Sequence, residues 1–591
     1  MNAALDFGLH ALRTAYRAGT LDVPQVIEEV LARLATAGDD KVWISRVSDI
    51  ALRAEAARLA ARRDEVESLP LYGIPFAVKD NIDVAGLATT AACPGYSYVP
   101  QISAEVVKRL VDAGAIVIGK TNLDQFATGL VGVRSPYGVP RNPFDAAFIP
   151  GGSSSGSAVA VATGLVSFSL GTDTAGSGRI PAGFNNIVGL KPTPGLLSTE
   201  GVVPACRSLD CVSVFALSCA DADSVLSVAA PARATPAIGG TFRFGIPRAQ
   251  DRAFFGDDSY AALYEQAIAR MRSLGGEAVE FDYAPFRDAA QLLYHGPWVA
   301  ERTAAVGAFI EAADEKAGIW PVTREIVLRG RNYSAVDAFE GQYNLAAFKV
   351  RAEAEMNGLA FLLLPTAGTI YRVADIEREP LLYNSNLGHY TNFVNFFGLS
   401  GLALPAAFRA DGLPFGVTLI ARPHAERALL AFGAKWQRGL DLPLGKTASK
   451  LPPSEADPIL SEDRVSIAVV GAHMSDLPLN GQLTELGGRR ESATRTAPLY
   501  RFYALPGGPP HRPGLVRMAE GGGAIELEVW SLPVEKVGTF ARKIPAPLVL
   551  GTVTLADGSG VLGFLCESHA TADAKDITAL GGWRAYVKSL T

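Results

Sequence analysis

The sequence predicts an α/β core over most of the chain, followed by a smaller strand-rich domain. Three observations predict it. At 591 residues the chain is longer than one hydrophobic core usually organises. Up to residue 440, helical patterns alternate with short apolar strands, which is the pattern of an α/β core. Residues 441–463 (DLPLGKTASKLPPSEADPILSED) then turn to prolines, charges and small polar residues, a linker composition, and residues 464–591 open with a fresh apolar strand. Apolar residues make up 48% of the chain and charged residues 19%, the balance of a soluble globular protein. A net charge of −6 supplies no basic face, so neither nucleic acid nor an anionic membrane is expected as a partner.

The elements follow in order. DIALRAEAARLAARRD (Asp49 to Asp64) lacks Gly and Pro and reads as a surface helix. LYGIPFAVKD is a short apolar strand ending at Lys79-Asp80. AEVVKRLVDAGAIVIGKTNLD reads as a helix, a stop at Gly114 and a buried strand. Gly151 to Ser154 is a loop, Ser155 to Thr163 a short helix with small faces, and Gly164 its stop. Val166, Phe168 and Leu170 alternate with Ser167 and Ser169, which is strand periodicity, and GTDTAGSG is a tight turn. Beyond the linker, VSIAVVGAH, AIELEVWSL and PLVLGTVTLADGSGVLGFLCE read as strands joined by glycine turns.

The cysteines (Cys93, Cys206, Cys211, Cys219 and Cys566) are odd in number and form no C-x-x-C pair, so buried free thiols in a reducing compartment are expected. MNAALDFGLHALRTAYRAG has no continuous apolar stretch of the signal-peptide kind. The most apolar run, Ser157 to Leu170, is too short to span a bilayer. A cytoplasmic protein is expected.

The serine-rich stretch GGSSSGSAVAVATGLVSFSLGTDTAGSGRIP (Gly151 to Pro181) raises a chemical question. A serine nucleophile needs a base within hydrogen-bond reach and donors for the oxyanion. The histidines are His10, His295, His389, His424, His473, His511 and His569, and none is near this stretch in sequence. A G-x-S-x-G elbow can be matched at Gly152, Ser154 and Gly156, but five letters in a glycine-serine tract match weakly.

The whole segment resembles the amidase signature family, whose pattern is a G-G-S-S-small-G-S run, an apolar stretch, then G-T-D-x-x-G-S-x-R-x-P. Here these are Gly151 to Ser157 and Gly171 to Pro181. GIPFAVKDNIDVAG matches the lysine strand of the family, with its lysine at Lys79, and GLPFGVTLIAR (Gly412 to Arg422) resembles its closing strand. The resemblance covers residues 10 to 440; Ser155 and Gly178 depart mildly from the pattern. It implies a mixed β-sheet surrounded by helices. It implies Lys79 as the base, acting through Ser153 on the nucleophile Ser177, with a cis peptide bond beside Ser153. Backbone N–H groups of Thr174, Ala175, Gly176 and Ser177 are implied as the oxyanion hole. A lysine base has to lose its proton near neutrality. Lowering its pKa by about 3 units costs roughly 4 kcal/mol, and burial beside Ile74, Phe76 and Val78 is the expected source.

YHGPWVAERTAAV (Tyr294 to Val306), with the appended domain, resembles the allophanate-hydrolysing members of that family. This implies Arg302 as the partner of a substrate carboxylate, because a guanidinium binds carboxylate bidentately, and Tyr294 as a second polar contact two helical turns earlier. The implied reaction turns allophanate and water into ammonia and N-carboxycarbamate, which then loses carbon dioxide. No metal and no organic cofactor are implied; a homodimer, or a larger complex with other nitrogen-catabolic enzymes, is. The competing readings are another signature amidase, such as a malonamidase or the amidase subunit of a tRNA amidotransferase, or a scaffold with a dead fold. The intact set of Lys79, Ser153 and Ser177 argues against the scaffold.

The C-terminal domain distantly resembles the γ-glutamylcyclotransferase-like fold, a small mixed β-barrel with a pocket after its first strand. Gly471-Ala472-His473-Met474 occupies that place, with RFYALPGGPP and GGWRAYVKSL expected around it. His473 either assists decarboxylation of N-carboxycarbamate or is structural in a domain that mediates assembly.

Overall fold

The computed structural model describes residues 5–230, 238–451, 464–508 and 511–590. Residues 452–463 of the expected linker lie outside the described residues. Contacts divide the chain into two units, one on each side of that segment.

The first unit is built on one mixed sheet of 11 strands, in the order β1-β3-β2-β4-β6-β5-β10-β11-β9-β7-β8. Along the chain these are β1 (Trp43–Arg46), β2 (Pro75–Lys79), β3 (Ile116–Thr121), β4 (Phe168–Asp173), β5 (Val188–Lys191), β6 (Cys211–Ala216), β7 (Phe242–Pro247), β8 (Gly276–Phe281), β9 (Phe361–Pro365), β10 (Ser400–Phe408) and β11 (Pro414–Ala421). Helices surround the sheet, and the apolar residues between them form its main core.

Two neighbouring strands position the chemistry. β2 is parallel to β4, with Val78 opposite Leu170, so the strands end at the same edge. That places Lys79 level with the residues that lead into the GTDTAGSG turn. The alternation of serines with apolar residues is part of a strand, but it marks no exposed face. Every residue of β4 is buried, because β2 and β6 flank it and the helix Ser155–Ala162 packs close to it. Strand and helix exchange hydrogen bonds instead: Ser169 Oγ of β4 donates to the carbonyl of Ser157 in the helix (2.8 Å), and Ser157 Oγ donates to the carbonyl of Leu170 in β4 (2.9 Å). The helix tolerates such closeness because its residues are small. A Cβ on Gly156 would lie 2.5 Å from the carbonyl oxygen of Val42.

After β4 the chain turns on a buried ion pair. Arg179 Nε and Nη2 each lie 2.9 Å from the Asp173 carboxylate, and both side chains have no exposure. The same carboxylate accepts the N–H groups of Gly176 (2.9 Å) and Gly178 (3.0 Å). Asn395 locks the arrangement from behind, donating to the Asp173 carbonyl at 2.7 Å.

The second unit has a five-stranded mixed sheet in the order β13-β16-β12-β18-β17 and a three-stranded sheet, β15-β14-β19. The strands are β12 (Arg464–Val469), β13 (Arg489–Arg495), β14 (Tyr500–Leu505), β15 (Arg512–Arg517), β16 (Glu526–Pro533), β17 (Leu548–Thr554), β18 (Gly560–Cys566) and β19 (Lys575–Asp576). The first strand, β12, is central and leads straight into the His473 segment. All five cysteines are buried free thiols. Among the described residues no helix is long and apolar enough to cross a membrane.

Removing one partner of a fully buried ion pair leaves an uncompensated charge, at a cost of about 3–5 kcal/mol. Arg179→Met is therefore expected to lower the stability of the first unit by that order, read as a clear fall in its urea-denaturation midpoint. A midpoint unchanged from wild type would show that the pair does not hold the turn.

Candidate active site

Lys79 ends β2 with no solvent exposure. Its Nζ is hydrogen-bonded to Ser153 Oγ at 2.8 Å and to Thr172 Oγ1 at 2.7 Å. Burial drives its pKa down to about 7, against the opposing fields of Asp124, Asp173 and Asp210, and Arg302 lowers it further. Loss of hydration penalises the ammonium, and among the described residues no carboxylate is hydrogen-bonded to the amine to restore it.

Ser153 follows a cis peptide bond from Gly152. Glycine is required there by space: a Cβ would sit 2.1 Å from Asp124 Oδ2 and 2.5 Å from the Gly132 nitrogen. Asp124 organises this loop. Its carboxylate accepts the N–H groups of Val131 (3.1 Å), Gly132 (2.9 Å) and Arg134 (2.9 Å), while its own N–H donates to the Ser153 carbonyl (3.0 Å).

Ser177 lies in the turn held by Asp173 and Arg179, with 3% exposure. Burial pushes the Asp173 carboxyl up, but Arg179 outweighs it and holds the group below the usual carboxylate range. The expected set of four oxyanion donors is reduced to three. The Gly176 N–H is already donated to Asp173 at 2.9 Å, whereas those of Thr174, Ala175 and Ser177 have no protein acceptor among the described residues. Gly176 has a different reason to be glycine: its φ is +135°, and a Cβ would meet Thr391 Oγ1 at 2.4 Å. Ser153 Oγ meets Lys79, and no hydrogen bond joins it to Ser177 among the described residues.

Tyr294 and Arg302 do meet, although not by the geometry expected. They do not share a helix. Tyr294 is near the end of the helix Ala284–His295; Gly296 and Pro297 break the chain, and Arg302 ends the helix Val299–Arg302. Arg302 Nη2 donates to Tyr294 Oη at 3.2 Å, and Nη1 donates to Thr128 Oγ1 at 3.0 Å. Arg302 is 1% exposed and its Nε has no hydrogen-bond partner among the described residues. A buried cation with an unused N–H is suited to receive an anion.

Several residues of this neighbourhood carried no assigned role in the sequence reading. Thr172, Asp173 and Arg179 lie inside the quoted motif, so their signal was present. Asp124, Thr128 and Asp210 lie outside it. Asp210 accepts from Thr174 Oγ1 at 2.5 Å and from the N–H groups of Ala205 (2.9 Å) and Cys206 (3.2 Å), and so steadies the turn from the opposite side.

In the second unit, His473 lines a cavity of about 370 Å³ together with His511, Arg512, Lys543 and Phe564. Its ring stacks on Phe564 (centroids 5.3 Å apart), lies edge-on to Phe540, and its Nε2 is 3.1 Å from Gln482 Oε1. Burial lowers its pKa. The aromatics expected around it lie elsewhere, with Trp583 packed on Phe502 and Tyr586. Among the described residues of those two stretches, Gly508 lines the cavity.

Residues 25–430 match the family described as Amidase, and residues 465–588 match the Allophanate hydrolase C-terminal domain. The urea amidolyase of Saccharomyces cerevisiae is 40% identical over 592 residues, covering 96% of this chain. The chain spans 32% of the length of that relative. A glutamyl-tRNA(Gln) amidotransferase subunit from Symbiobacterium thermophilum is 34% identical over 72% of this chain and 95% of its own. Among solved structures, the selenomethionine-substituted allophanate hydrolase of Kluyveromyces lactis superposes over 100% of both chains, with a TM-score of 0.76 and 37% identity. The chain belongs to the amidase family, and its second unit matches the allophanate hydrolase C-terminal domain.

Proposed function

We propose that this chain hydrolyses allophanate by a serine–serine–lysine mechanism. The observation that carries the reading is the buried Lys79 amine, held against Ser153 with a pKa near 7. In its neutral form Lys79 takes the Ser153 hydroxyl proton as Ser153 takes that of Ser177. Ser177 Oγ attacks the amide carbon, and the oxyanion lies against the free N–H groups of Thr174, Ala175 and Ser177. Collapse breaks the carbon–nitrogen bond. The proton returns to the leaving nitrogen, ammonia departs and an ester remains on Ser177. Water, deprotonated by the same relay, hydrolyses the ester to N-carboxycarbamate. Arg302 and Tyr294 hold the carboxylate end, and the unpartnered Nε of Arg302 supports that role.

Ammonia release by the purified chain from allophanate, malonamate and glutamine tests this reading against a malonamidase or the amidase component of a tRNA amidotransferase. Turnover of allophanate alone is expected. The chain works as a homodimer in the cytoplasm, where its buried free thiols stay reduced.

The second unit supports a second step. N-carboxycarbamate carries two carboxylates, and the cavity beside His473 is lined by Arg512 and Lys543. Loss of carbon dioxide breaks a carbon–nitrogen bond and leaves the nitrogen needing a proton, which comes from solvent water with His473 assisting by hydrogen bonding.

Four outcomes are expected. Lys79→Ala retains less than about a tenth of wild-type kcat while the protein stays folded by circular dichroism. Since Lys79 works as the neutral amine, the wild-type rate should fall as pH drops below about 7, where it gains its proton. A flat acidic limb removes Lys79 as the base. Arg302→Lys replaces a planar fork by a point charge and should raise KM for allophanate about 10- to 150-fold, with malonate competing in the wild type. Unchanged kinetics would take Arg302 out of the site. His473→Ala should release the first ammonia at the wild-type rate but delay carbon dioxide, followed by timed capture of the carboxylated intermediate. Superimposed product curves would leave the domain an assembly role.

A further inference from the structure

Behind the catalytic turn lies a small cavity that the proposed chemistry does not use. Its volume is about 110 Å³, and Arg287, Gln291, Ser385, Asn386, His389 and Asn392 supply its polar lining. Arg287 and Gln291 stand on the helix Ala284–His295, seven and three residues before Tyr294, so the three share one face. The other four come from the segment that holds the turn. Close by in that segment, the carbonyl of Thr391 and Oδ1 of Asn395 both accept from Arg179 Nη2, at 3.1 and 3.2 Å.

Two polar side chains of the cavity are left without partners. Asn392 is 6% exposed, yet its carboxamide makes no hydrogen bond among the described residues. His389 Nε2 is buried and equally unpaired among them. Both side chains are held in place. The His389 ring packs against Tyr283 and lies edge-on to Tyr390 and Phe255. The backbone of Gly388 is so close to the Asn392 amide that a Cβ there would lie 2.5 Å from Nδ2. Burial, with Arg287 nearby, lowers the His389 pKa to about 4, so its imidazole is neutral around pH 7. Buried polar groups are paired in the great majority of cases, and unpaired ones around a cavity mark a place for a polar molecule.

The lining defines the chemistry of that molecule. A carboxamide free at both its oxygen and its nitrogen matches a second amide, which donates to the one and accepts from the other. Arg287, whose guanidinium meets the neighbouring Asp288 at 3.3 Å, suits an anion. Among the described residues no carboxylate lines the cavity, so a cation would face Arg287 uncompensated. A simple anion would leave the Asn392 oxygen unpaired, and a neutral amide would leave Arg287 unused. We propose that the cavity binds a small molecule carrying both a carbamoyl group and a carboxylate, the amide on Asn392 and the carboxylate on Arg287. Allophanate belongs to this class, and naming it as the occupant rests on the functional reading above; the site itself rests on these residues. It is a second site for the substrate. Arg302 and Tyr294 hold the molecule that reacts, and Arg287 holds another, two turns before Tyr294 on the same helix face.

Equilibrium dialysis of radiolabelled allophanate against the full-length Ser177→Ala chain tests it, because that variant cannot form the ester. More than one molecule per chain is expected to bind. Adding Arg287→Ala or Asn392→Leu should weaken one of these sites about 10-fold or more and leave the rest unchanged, which also shows that the variants are folded. Adding Arg302→Lys or His473→Ala should leave that same site intact. Malonamate, which carries both groups, should displace allophanate from it, whereas urea and bicarbonate, which carry one group or neither, should not. A single bound molecule per chain, a count unmoved by both Arg287→Ala and Asn392→Leu, or displacement by urea or bicarbonate would each overturn the proposal. If the wild type releases no ammonia from allophanate while the Arg287-dependent site is present, the functional reading fails alone. If ammonia is released and no site depends on Arg287, this proposal fails alone.

Discussion

A lysine amine that serves as a base must be denied water without being denied hydrogen bonds. Lys79 meets both demands because it ends a strand flanked on both sides within an 11-stranded sheet. The sheet supplies the burial that lowers its pKa to about 7. Two hydroxyls, Ser153 and Thr172, satisfy the amine without adding a formal charge. Three carboxylates act at longer range and limit the drop. A carboxylate hydrogen-bonded to the amine would raise its pKa and keep it protonated.

The backbone around the serines is shaped by acidic groups that stay away from the amine. Asp173 gives its carboxylate to Arg179 and to the N–H groups of Gly176 and Gly178, curling the chain so that neighbouring N–H groups remain unpaired. Asp124 does the same for the loop that carries Ser153. Such buried carboxylates require partners to offset desolvation. They also fix the orientation of nearby N–H groups in advance, the kind of pre-organisation from which electrostatic catalysis gains most. The capture of the Gly176 N–H by Asp173 is part of that arrangement: one potential donor is used to aim the others.

Tyr294 and Arg302 come together by a geometry that a continuous helix does not provide. Eight residues on a continuous helix would place both on one side. Gly296 and Pro297 interrupt that helix, and the two side chains meet because the break folds the second segment back onto the first. Thr128, from a distant part of the chain, completes the setting of Arg302.

The sequence by itself determined the alternating core, the strand ending at Lys79, the glycine stop at Gly114 and the identity of the serine and lysine motif. These depend on local periodicity, turn chemistry and residues close in the chain. The tertiary structure alone decided the burial of both faces of β4, because exposure depends on neighbouring strands that a linear pattern does not contain. It also decided which N–H groups of the 174–177 turn stay free, since that depends on where the Asp173 carboxylate lies. Asp124, Asp210 and Thr128 were illegible for the same reason. A carboxylate or hydroxyl has no sequence signature until the fold brings it to the backbone or guanidinium it serves.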